Sequence, residues 1–320
     1  MRAKRALICG VSGQDGAYLS KLLIEKGYVV VGTSRDASAS SFDNLQQLGI
    51  RQAVETVSMS TADSANIMST IRNAAPDEIY YLAGQSSVGL SFERPVETYE
   101  SITMGVFRLL EAIRVLDRPI RFYNAGTSEC FGDTGNEYAA SETTPFRPRS
   151  PYAVAKSSAH QLIAFYRESY GLYACTGILF NHESPLRLER FVTQKIVRNA
   201  ARIAQGCDDK LQLGNLDIYR DWGWAAEYVE AMWLMLQQNI SDDFVIATGK
   251  TVSLEYFIYR VFDYFNLKWT DHVVNIPELV RPYDVRMSRA DPSKAKSILG
   301  WSAKVDIDQV IDGMCKAAAQ

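Results

Sequence analysis

The hydrophobic positions of this 320-residue chain follow two patterns as far as residue 180. Short continuous apolar runs predict buried strands at residues 5–9, 28–33, 77–82, 121–125 and 172–180. Segments 17–26 and 103–116 have apolar side chains three and four positions apart, which predicts helices with one buried face. Alternation of strands with helices predicts an α/β fold built on a doubly wound parallel sheet.

Beyond residue 180 the pattern becomes less regular. A strand-like run ends near residue 180, and helical spacing returns at residues 191–202 and in the apolar segment 228–236. No repeat or low-complexity linker separates the two parts. We therefore predict a main domain over residues 1–180 and a smaller mixed lobe over residues 181–320, with chain crossings between them.

A glycine-rich turn lies between the first predicted strand and the first helix. Gly10, Gly13 and Gly16 are spaced three apart, and glycines there let a backbone approach a pyrophosphate at a helix N-terminus. After the second strand come Arg35 and Asp36. An arginine at this position accommodates a 2′-phosphate, whereas an acidic residue binds a free ribose. We predict NADP as the cofactor, and NAD stays possible.

A second set of residues suits proton transfer. Tyr152 and Lys156 are four apart and share one face of a helix that Ser150 is expected to cap and Pro151 to begin. The lysine charge is expected to favour the tyrosine phenolate. Upstream, Thr127 and Glu129 follow a predicted strand, and they would point to one side if the chain stayed extended.

Composition excludes several classes of function. The formal net charge of −3 argues against nucleic acid as a partner. Three histidines without ligand spacing predict no metal site, and no apolar run reaches the length of a membrane span. Five scattered cysteines fit a reducing compartment, so we predict a cytoplasmic protein with no membrane association.

Longer motifs are more specific than either short pattern. They are residues 10–19 (GVSGQDGAYL), 82–86 (LAGQS), 127–129 (TSE), 180–185 (FNHESP), 213–217 (LGNLD), 220–223 (RDWG) and 227–232 (EYVEAM). On these residues the chain resembles the extended short-chain dehydrogenase/reductases, and more narrowly the GDP-mannose 4,6-dehydratase family, nearly end to end. The resemblance implies a Rossmann-like fold, a GDP-sugar substrate and a homodimer or homotetramer.

The resemblance also implies roles for individual residues. The catalytic set would be Thr127, Glu129, Tyr152 and Lys156. The cofactor would contact Gly10, Gly13, Gln14, Asp15, Gly16, Arg35, Ser60, Thr61, Leu82, Ala83, Gln85, Ser86, Tyr152, Lys156, His182 and Arg187. The GDP-sugar would contact Ser86, Asn181, Val192, Lys195, Arg220, Arg281 and Asp284.

The reaction implied is conversion of a GDP-mannose-type sugar to its 4-keto-6-deoxy product by internal hydride transfer and loss of water. GDP-manno-heptose is an alternative substrate, because Leu188 stands where the family has a glycine near the expected sugar. A nucleotide-sugar 4-epimerase or 4-keto reductase is another alternative, with Glu129 against it. A non-catalytic dinucleotide-binding protein is the third.

Overall fold

The computed structural model describes residues 2–280 and 282–320. Its strands are β1 (Arg5–Cys9), β2 (Val29–Ser34), β3 (Val54–Ser58), β4 (Glu78–Tyr81), β5 (Arg121–Ala125), β6 (Ala174–Leu179), β7 (Asn181–Glu183), β8 (Leu211–Leu213), β9 (Tyr219–Arg220), β10 (Trp222–Trp224), β11 (Phe244–Ile246), β12 (Val252–Ser253) and β13 (Val273–Asn275). Its α-helices are α1 (Gln14–Glu25), α2 (Asp43–Gln47), α3 (Ser64–Ala74), α4 (Val88–Glu93), α5 (Pro95–Tyr99), α6 (Gly105–Leu116), α7 (Pro151–Tyr170), α8 (Val192–Ala204), α9 (Ala225–Met235), α10 (Leu254–Tyr264) and α11 (Ile307–Ala318).

Seven strands form the central sheet in the order β3-β2-β1-β4-β5-β6-β11, and each pairs in parallel with its neighbours. The order runs outward in both directions from β1 and β4, so the chain reverses direction between these two strands. This reversal opens a crevice at the carboxyl ends of the strands. The predicted doubly wound α/β fold is confirmed.

Each face of the sheet is covered by helices whose apolar stripes match it. On one face α1 packs against α9, with Leu19, Leu23 and Met232 fully buried. On the other face α3, α6 and α7 contribute Ile71, Leu109 and other buried side chains. The spacing of three and four that predicted α1 and α6 is therefore the spacing of their sheet-facing residues.

A third core lies in the C-terminal part of the chain. There α8, α10 and α11 pack together around buried Ile196, Phe257 and Ile311, beside the short parallel pair of β8 and β13. The same part of the chain also returns to the central sheet: β11 pairs with β6, and α9 covers α1. The division at residue 180 stays a prediction.

Two elements on the β3 side of the sheet, β3 and α3, were not predicted from the sequence pattern. Strand β3 is an edge strand with only Val54 fully buried, so it lacks a continuous apolar run. Helix α3 is preceded by its N-cap Asp63, whose carboxylate accepts hydrogen bonds from the backbone N–H groups of Ala65 and Asn66.

Across residues 2–280 and 282–320, no helix combines the length and apolar character that crossing a membrane requires.

Candidate active site

The glycine turn after β1 has a shape that only glycine permits. Gly10 has φ +91°, and a Cβ there would lie 2.9 Å from the backbone nitrogen of Ala83. At Gly13 a Cβ would meet only the Gly10 carbonyl, at 3.4 Å, so the backbone faces open space. Gly13 also precedes α1 without a side-chain cap, which leaves the N–H groups of the first helical turn available to an anion.

Helix α7 starts as its sequence predicts. The Ser150 hydroxyl accepts a hydrogen bond from the backbone N–H of Ala153 at 3.1 Å, and Pro151 is the first helical residue. Tyr152 and Lys156 then lie on one buried face. The Lys156 ammonium donates to the carbonyl of Ala125, the last residue of β5, at 2.7 Å, and it lies 5.8 Å from the centre of the Tyr152 ring.

Burial controls the protonation of both groups. It raises the pKa of the Tyr152 hydroxyl well above its usual value, although a hydrogen bond with Thr127 acts in the opposite direction. Burial also lowers the pKa of Lys156 to about 8. In the protein alone, removing the phenolate from water therefore costs more than the nearby groups return, and the effect of the Lys156 charge on Tyr152 stays a prediction.

Thr127 and Glu129 reach the same cleft by a different backbone path from the one expected. The chain does not stay extended after β5: Ser128–Phe131 form a 3₁₀ turn, and the Thr127 hydroxyl caps it by accepting from the N–H of Glu129 at 3.3 Å. Both residues nevertheless line the cleft with Tyr152 and Lys156.

Three carboxylates line this cleft, and they differ in how they are held. Asp15 lies 2.9 Å from His182 Nε2, and Glu183 accepts from the Thr193 hydroxyl at 2.7 Å. By contrast, within residues 2–280 and 282–320 no side-chain hydrogen bond or ion pair holds the Glu129 carboxylate. Glu129 is thus the cleft carboxylate whose oxygens have no described side-chain partner and are open to a bound molecule.

Comparison with known proteins agrees with this arrangement. The family model for GDP-mannose 4,6 dehydratase matches residues 7–314. GDP-mannose 4,6 dehydratase 1 of Arabidopsis thaliana is 45% identical over 321 residues, covering 97% of this chain and 88% of the relative. The chain belongs to the GDP-mannose 4,6-dehydratase family.

Solved structures with this fold include more distant enzymes. A Thermus thermophilus UDP-glucose 4-epimerase in complex with NAD has a TM-score of 0.87 at 24% identity, covering 98% of each chain. A Pseudomonas aeruginosa protein named RMD, complexed with NADPH, has a TM-score of 0.81 at 20% identity, covering 99% of each chain. At these identities the likeness shows a shared fold.

In this family member the segment after β6 is hydrogen-bonded to the glycine turn. His182 Nδ1 lies 2.8 Å from the carbonyl of Phe180, and its Nε2 faces Asp15. The Gln14 amide donates to the His182 carbonyl at 3.2 Å and accepts from the Ser184 hydroxyl at 2.8 Å. The predicted cofactor contacts Gln14, Asp15 and His182 are thus brought together, with their polar atoms bonded largely to one another.

Cationic side chains line the same cleft. The Arg187 guanidinium stacks 3.8 Å from the centre of the Phe191 ring, and its Nε is 3.2 Å from a carboxylate oxygen of Glu183. Arg220 is buried and also lines the cleft. Its neighbour Asp221 is held by the N–H groups of residues 248 and 249, at 3.0 and 2.7 Å, and burial raises the pKa of Asp221 to about 6.

The predicted site residues that the structure describes divide into three groups. Those lining the cleft are Asp15, Leu82, Ser86, Thr127, Glu129, Tyr152, Lys156, Asn181, His182, Arg187, Val192 and Arg220. Those in or near the turns after β1 to β4 are Gly10, Gly13, Gln14, Gly16, Arg35, Ser60, Thr61, Ala83 and Gln85. Lys195 and Asp284 lie apart from the cleft lining, and the Lys195 ammonium donates to the Gln212 carbonyl at 2.7 Å. Arg281 lies outside the described residues.

Several cleft residues were not predicted as site residues. Glu183 and Trp222 lie inside motifs that the sequence analysis quoted, so the motifs themselves were the available signal. Arg190 and Phe191 lie in the irregular segment before α8, where no periodic pattern marks an inward side chain. In the part of the chain that the structure describes, no group of three or more His, Cys, Asp or Glu side chains is arranged to hold a metal ion.

Proposed function

We propose that this protein is a nucleotide-sugar 4,6-dehydratase that converts a GDP-mannose-type sugar to its 4-keto-6-deoxy product with loss of water. The observation that carries the proposal is the Glu129 carboxylate, which is unheld by its described neighbours and lines one cleft with Thr127, Tyr152 and Lys156. Oxidation at C4 needs one acid/base group, whereas loss of water across C5 and C6 needs a second. Membership of the dehydratase family supports the same reaction.

The turn after β1 fits a nicotinamide dinucleotide. Gly13 leaves room for a diphosphate, and the uncapped N–H groups of α1 offer it donors. A dinucleotide held at this turn would supply hydride transfer at C4 and C6 without net oxidation or reduction, so the reaction would consume no outside oxidant. The fold neighbours named with NAD and NADPH support this class of cofactor.

Within that class, the loop after β2 favours NADP. One carboxylate oxygen of Asp36 accepts from the N–H and hydroxyl of Ser38, at 2.9 and 2.6 Å, and from the N–H of Ala39 at 3.1 Å. These hydrogen bonds lower the pKa of Asp36 and keep its carboxylate in its own loop. Arg35, beside it, is then the charged group available for a 2′-phosphate.

Tyr152 is the proton acceptor for the C4 hydroxyl in this proposal. Its hydrogen bond with Thr127 and the positive charge of Arg187 both lower the cost of ionising its buried hydroxyl. The Lys156 ammonium, fixed by the Ala125 carbonyl, supplies positive charge on the same helix face. Thr127 would hold the C4 oxygen while the proton leaves.

Glu129 performs the second part of the reaction. A ketone at C4 makes the C5 hydrogen acidic, and the Glu129 carboxylate takes that proton. The protonated Glu129 then gives a proton to the departing C6 hydroxyl, which leaves as water. One carboxylate can serve both steps because the departing proton and hydroxyl are on adjacent carbons. Return of hydride to C6 requires a new proton at C5, and the proton that Tyr152 took from the C4 hydroxyl balances this step.

The diphosphate of a GDP-sugar suits the cationic wall of the cleft. Arg187, Arg190 and Arg220 line it, and guanidinium groups bind diphosphate oxygens through paired hydrogen bonds. Leu188, the reason for considering a heptose, is 54% exposed and is not among the residues lining the cleft. The cleft surface therefore favours the hexose.

The test is mass spectrometry of the products after incubation with GDP-mannose and, separately, with GDP-manno-heptose. We expect GDP-mannose to lose the mass of one water without net change in added NADP. A 4-keto substrate gaining two hydrogens with NADPH oxidation would instead show a reductase, and an isomer of equal mass would show an epimerase. Normal NADP binding with no turnover of any GDP-sugar would favour a binding protein.

We further propose that the protein is a homodimer. Phe107, Phe165 and Tyr170 are each more than one-third exposed, and their rings gather around Tyr166 on the outer face of α6 and α7. Such an aromatic patch is typical of an interface between subunits. Mass photometry should show dimers or their tetramers, and Phe165→Glu should produce monomers.

A cytoplasmic location is the last part of the proposal. Cys9, Cys130, Cys175 and Cys315 are free and buried, and Cys207 is free and half-buried. Free thiols of this kind are typical of a reducing compartment. Fractionation of expressing cells with an antibody to the native protein tests this.

A further inference from the structure

Four side chains join the glycine turn to the segment that follows β6. They are Gln14, Asp15, His182 and Ser184, and we call them the turn clamp. Asp15 and His182 meet at 2.9 Å, and Gln14 bridges the His182 carbonyl and the Ser184 hydroxyl. Gln14 also donates to the other carboxylate oxygen of Asp15 at 3.0 Å. Through the turn clamp, residues 168 positions apart in the chain become direct neighbours.

The geometry fixes the protonation of His182. Its Nδ1 faces the carbonyl oxygen of Phe180, which can only accept, so Nδ1 must carry hydrogen. Its Nε2 faces the Asp15 carboxylate, which when ionised also only accepts. Both ring nitrogens therefore carry hydrogen, and His182 is an imidazolium.

The charges around the pair agree with this assignment. Burial acts to raise the pKa of Asp15, but its neighbours, chiefly His182, outweigh burial and lower the pKa to about 2. Burial lowers the pKa of His182, but Asp15 outweighs that effect and the result is a raised pKa. Ionisable groups that interact with Asp15 include Arg187, Lys156 and Tyr123, and Glu183 lines the same cleft. The His182 ring stacks on Tyr228 at 4.7 Å.

The pair has a specific consequence at the N-terminus of α1. An isolated carboxylate at Asp15 would repel a dinucleotide diphosphate bound at that helix end. The imidazolium cancels the charge, and the hydrogen bonds among the four side chains leave backbone N–H groups as the donors for the diphosphate.

We propose that Asp15 is a positioning residue, which with His182 forms a carboxylate–imidazolium pair that holds the glycine turn at a fixed spacing from segment 181–184. This inference rests on the proposed function, because that spacing sets the distance between the cofactor and the wall that carries Asn181 and Arg187. Asp15 contacts neither reacting carbon.

The direct test is ¹⁵N NMR of the histidine side chains in the full-length protein. The chain has three histidines, which makes assignment by single substitution practical. We expect His182 to show two protonated nitrogens from pH 6 to pH 8. His160 is the internal control, since burial lowers its pKa and it should be neutral at pH 7.5.

Asp15→Asn removes the charge and preserves the size of the side chain. We expect the imidazolium signal to be lost at pH 7.5, the KM for NADP to rise roughly tenfold through the displaced turn, and kcat to fall roughly tenfold. His160→Gln should leave kinetics unchanged. A neutral His182 in the wild-type spectrum would overturn the proposal, as would an Asp15→Asn enzyme with unaltered kinetics.

The NMR result does not depend on enzymatic turnover. If Asp15→Asn fails to fold, the wild-type spectrum still decides whether His182 is ionised. In the kinetics, Asp15→Asn is then replaced by His182→Gln, which keeps a hydrogen-bond donor. If no GDP-sugar turns over but His182 is an imidazolium, the proposed function fails and the pair stands. Binding of NADP, measured by calorimetry, then tests the positioning.

Discussion

Two carboxylates at opposite ends of the central sheet have opposite surroundings. Glu78, the first residue of β4, is fully buried and accepts hydrogen bonds from Lys4, Tyr28, Tyr80 and Gln237 at 2.8–3.2 Å. Glu129 follows the end of β5 on the other side, and no described side chain holds its carboxylate. The comparison separates stability from chemistry: a carboxylate whose oxygens are bonded to buried neighbours stabilises the fold, whereas one without such partners is open to a substrate in the cleft.

Glu129→Gln is the substitution with the largest expected effect. It preserves shape but removes the group that moves the C5 proton, so kcat for water loss should fall about 10³-fold, while the free energy of unfolding changes by less than about 0.5 kcal/mol. Product analysis by mass spectrometry and urea denaturation measure the two effects. The matched control is Glu137→Gln, an exposed loop carboxylate. A large loss of stability in Glu129→Gln would contradict the contrast with Glu78.

Glu78→Gln should show the reverse behaviour. It leaves Lys4 without its carboxylate and misplaces donors around a buried position, so unfolding should become easier by about 3 kcal/mol. The folded fraction should retain kcat within about twofold, since the site is at the far end of the sheet. Glu55→Gln, on the exposed side of β3, is the control. Unchanged urea denaturation would show that the network does not stabilise the fold.

Asp221 lies between the cases of Glu78 and Glu129. Its carboxylate accepts hydrogen bonds from backbone N–H groups, yet burial raises its pKa to about 6. A carboxyl group with a folded pKa above its unfolded value of 3.8 binds protons more tightly in the folded state. Stability should therefore fall as pH rises from 4 to 6, by about 2 kcal/mol relative to Asp221→Asn. Urea denaturation of both proteins across this range measures it, and a difference independent of pH would refute the assignment.

The smallest effect is expected at Asp36, an exposed carboxylate bonded within its own loop. Asp36→Ala should leave the ratio of kcat/KM for NADP over NAD unchanged. Arg35→Ala should lower that ratio roughly tenfold by removing a charged hydrogen bond to the 2′-phosphate. If Asp36→Ala instead raised the preference for NADP strongly, Asp36 would be a ribose ligand after all.

The sequence was informative wherever one local rule dominated. Continuous apolar runs predicted strands β1 and β5, the 10–16 turn predicted the start of α1, and Ser150 with Pro151 predicted the start of α7. The family motifs named many of the side chains that line the cleft. These signals come from short stretches of chain, whose geometry depends little on distant residues.

The failures arose where distant residues decide the outcome. The raised pKa of Tyr152 comes from burial by the assembled fold, which no spacing of four residues reveals. One failure had a local cause: the chain after Thr127 forms a 3₁₀ turn over Ser128–Phe131, because the Thr127 hydroxyl caps it. The pairing of Asp15 with His182 joins residues far apart in the chain and has no local signature.

The position of β11 has a consequence for how the chain folds. Until residues 244–246 have been synthesised, β6 is the last strand on its side of the sheet and presents an unpaired edge. Until residues 225–235 of α9 have been synthesised, the apolar stripe of α1 is also uncovered. A fragment ending near residue 180 should therefore aggregate rather than fold. During synthesis, the chain depends on protection from aggregation between the completion of β6 and the completion of β11.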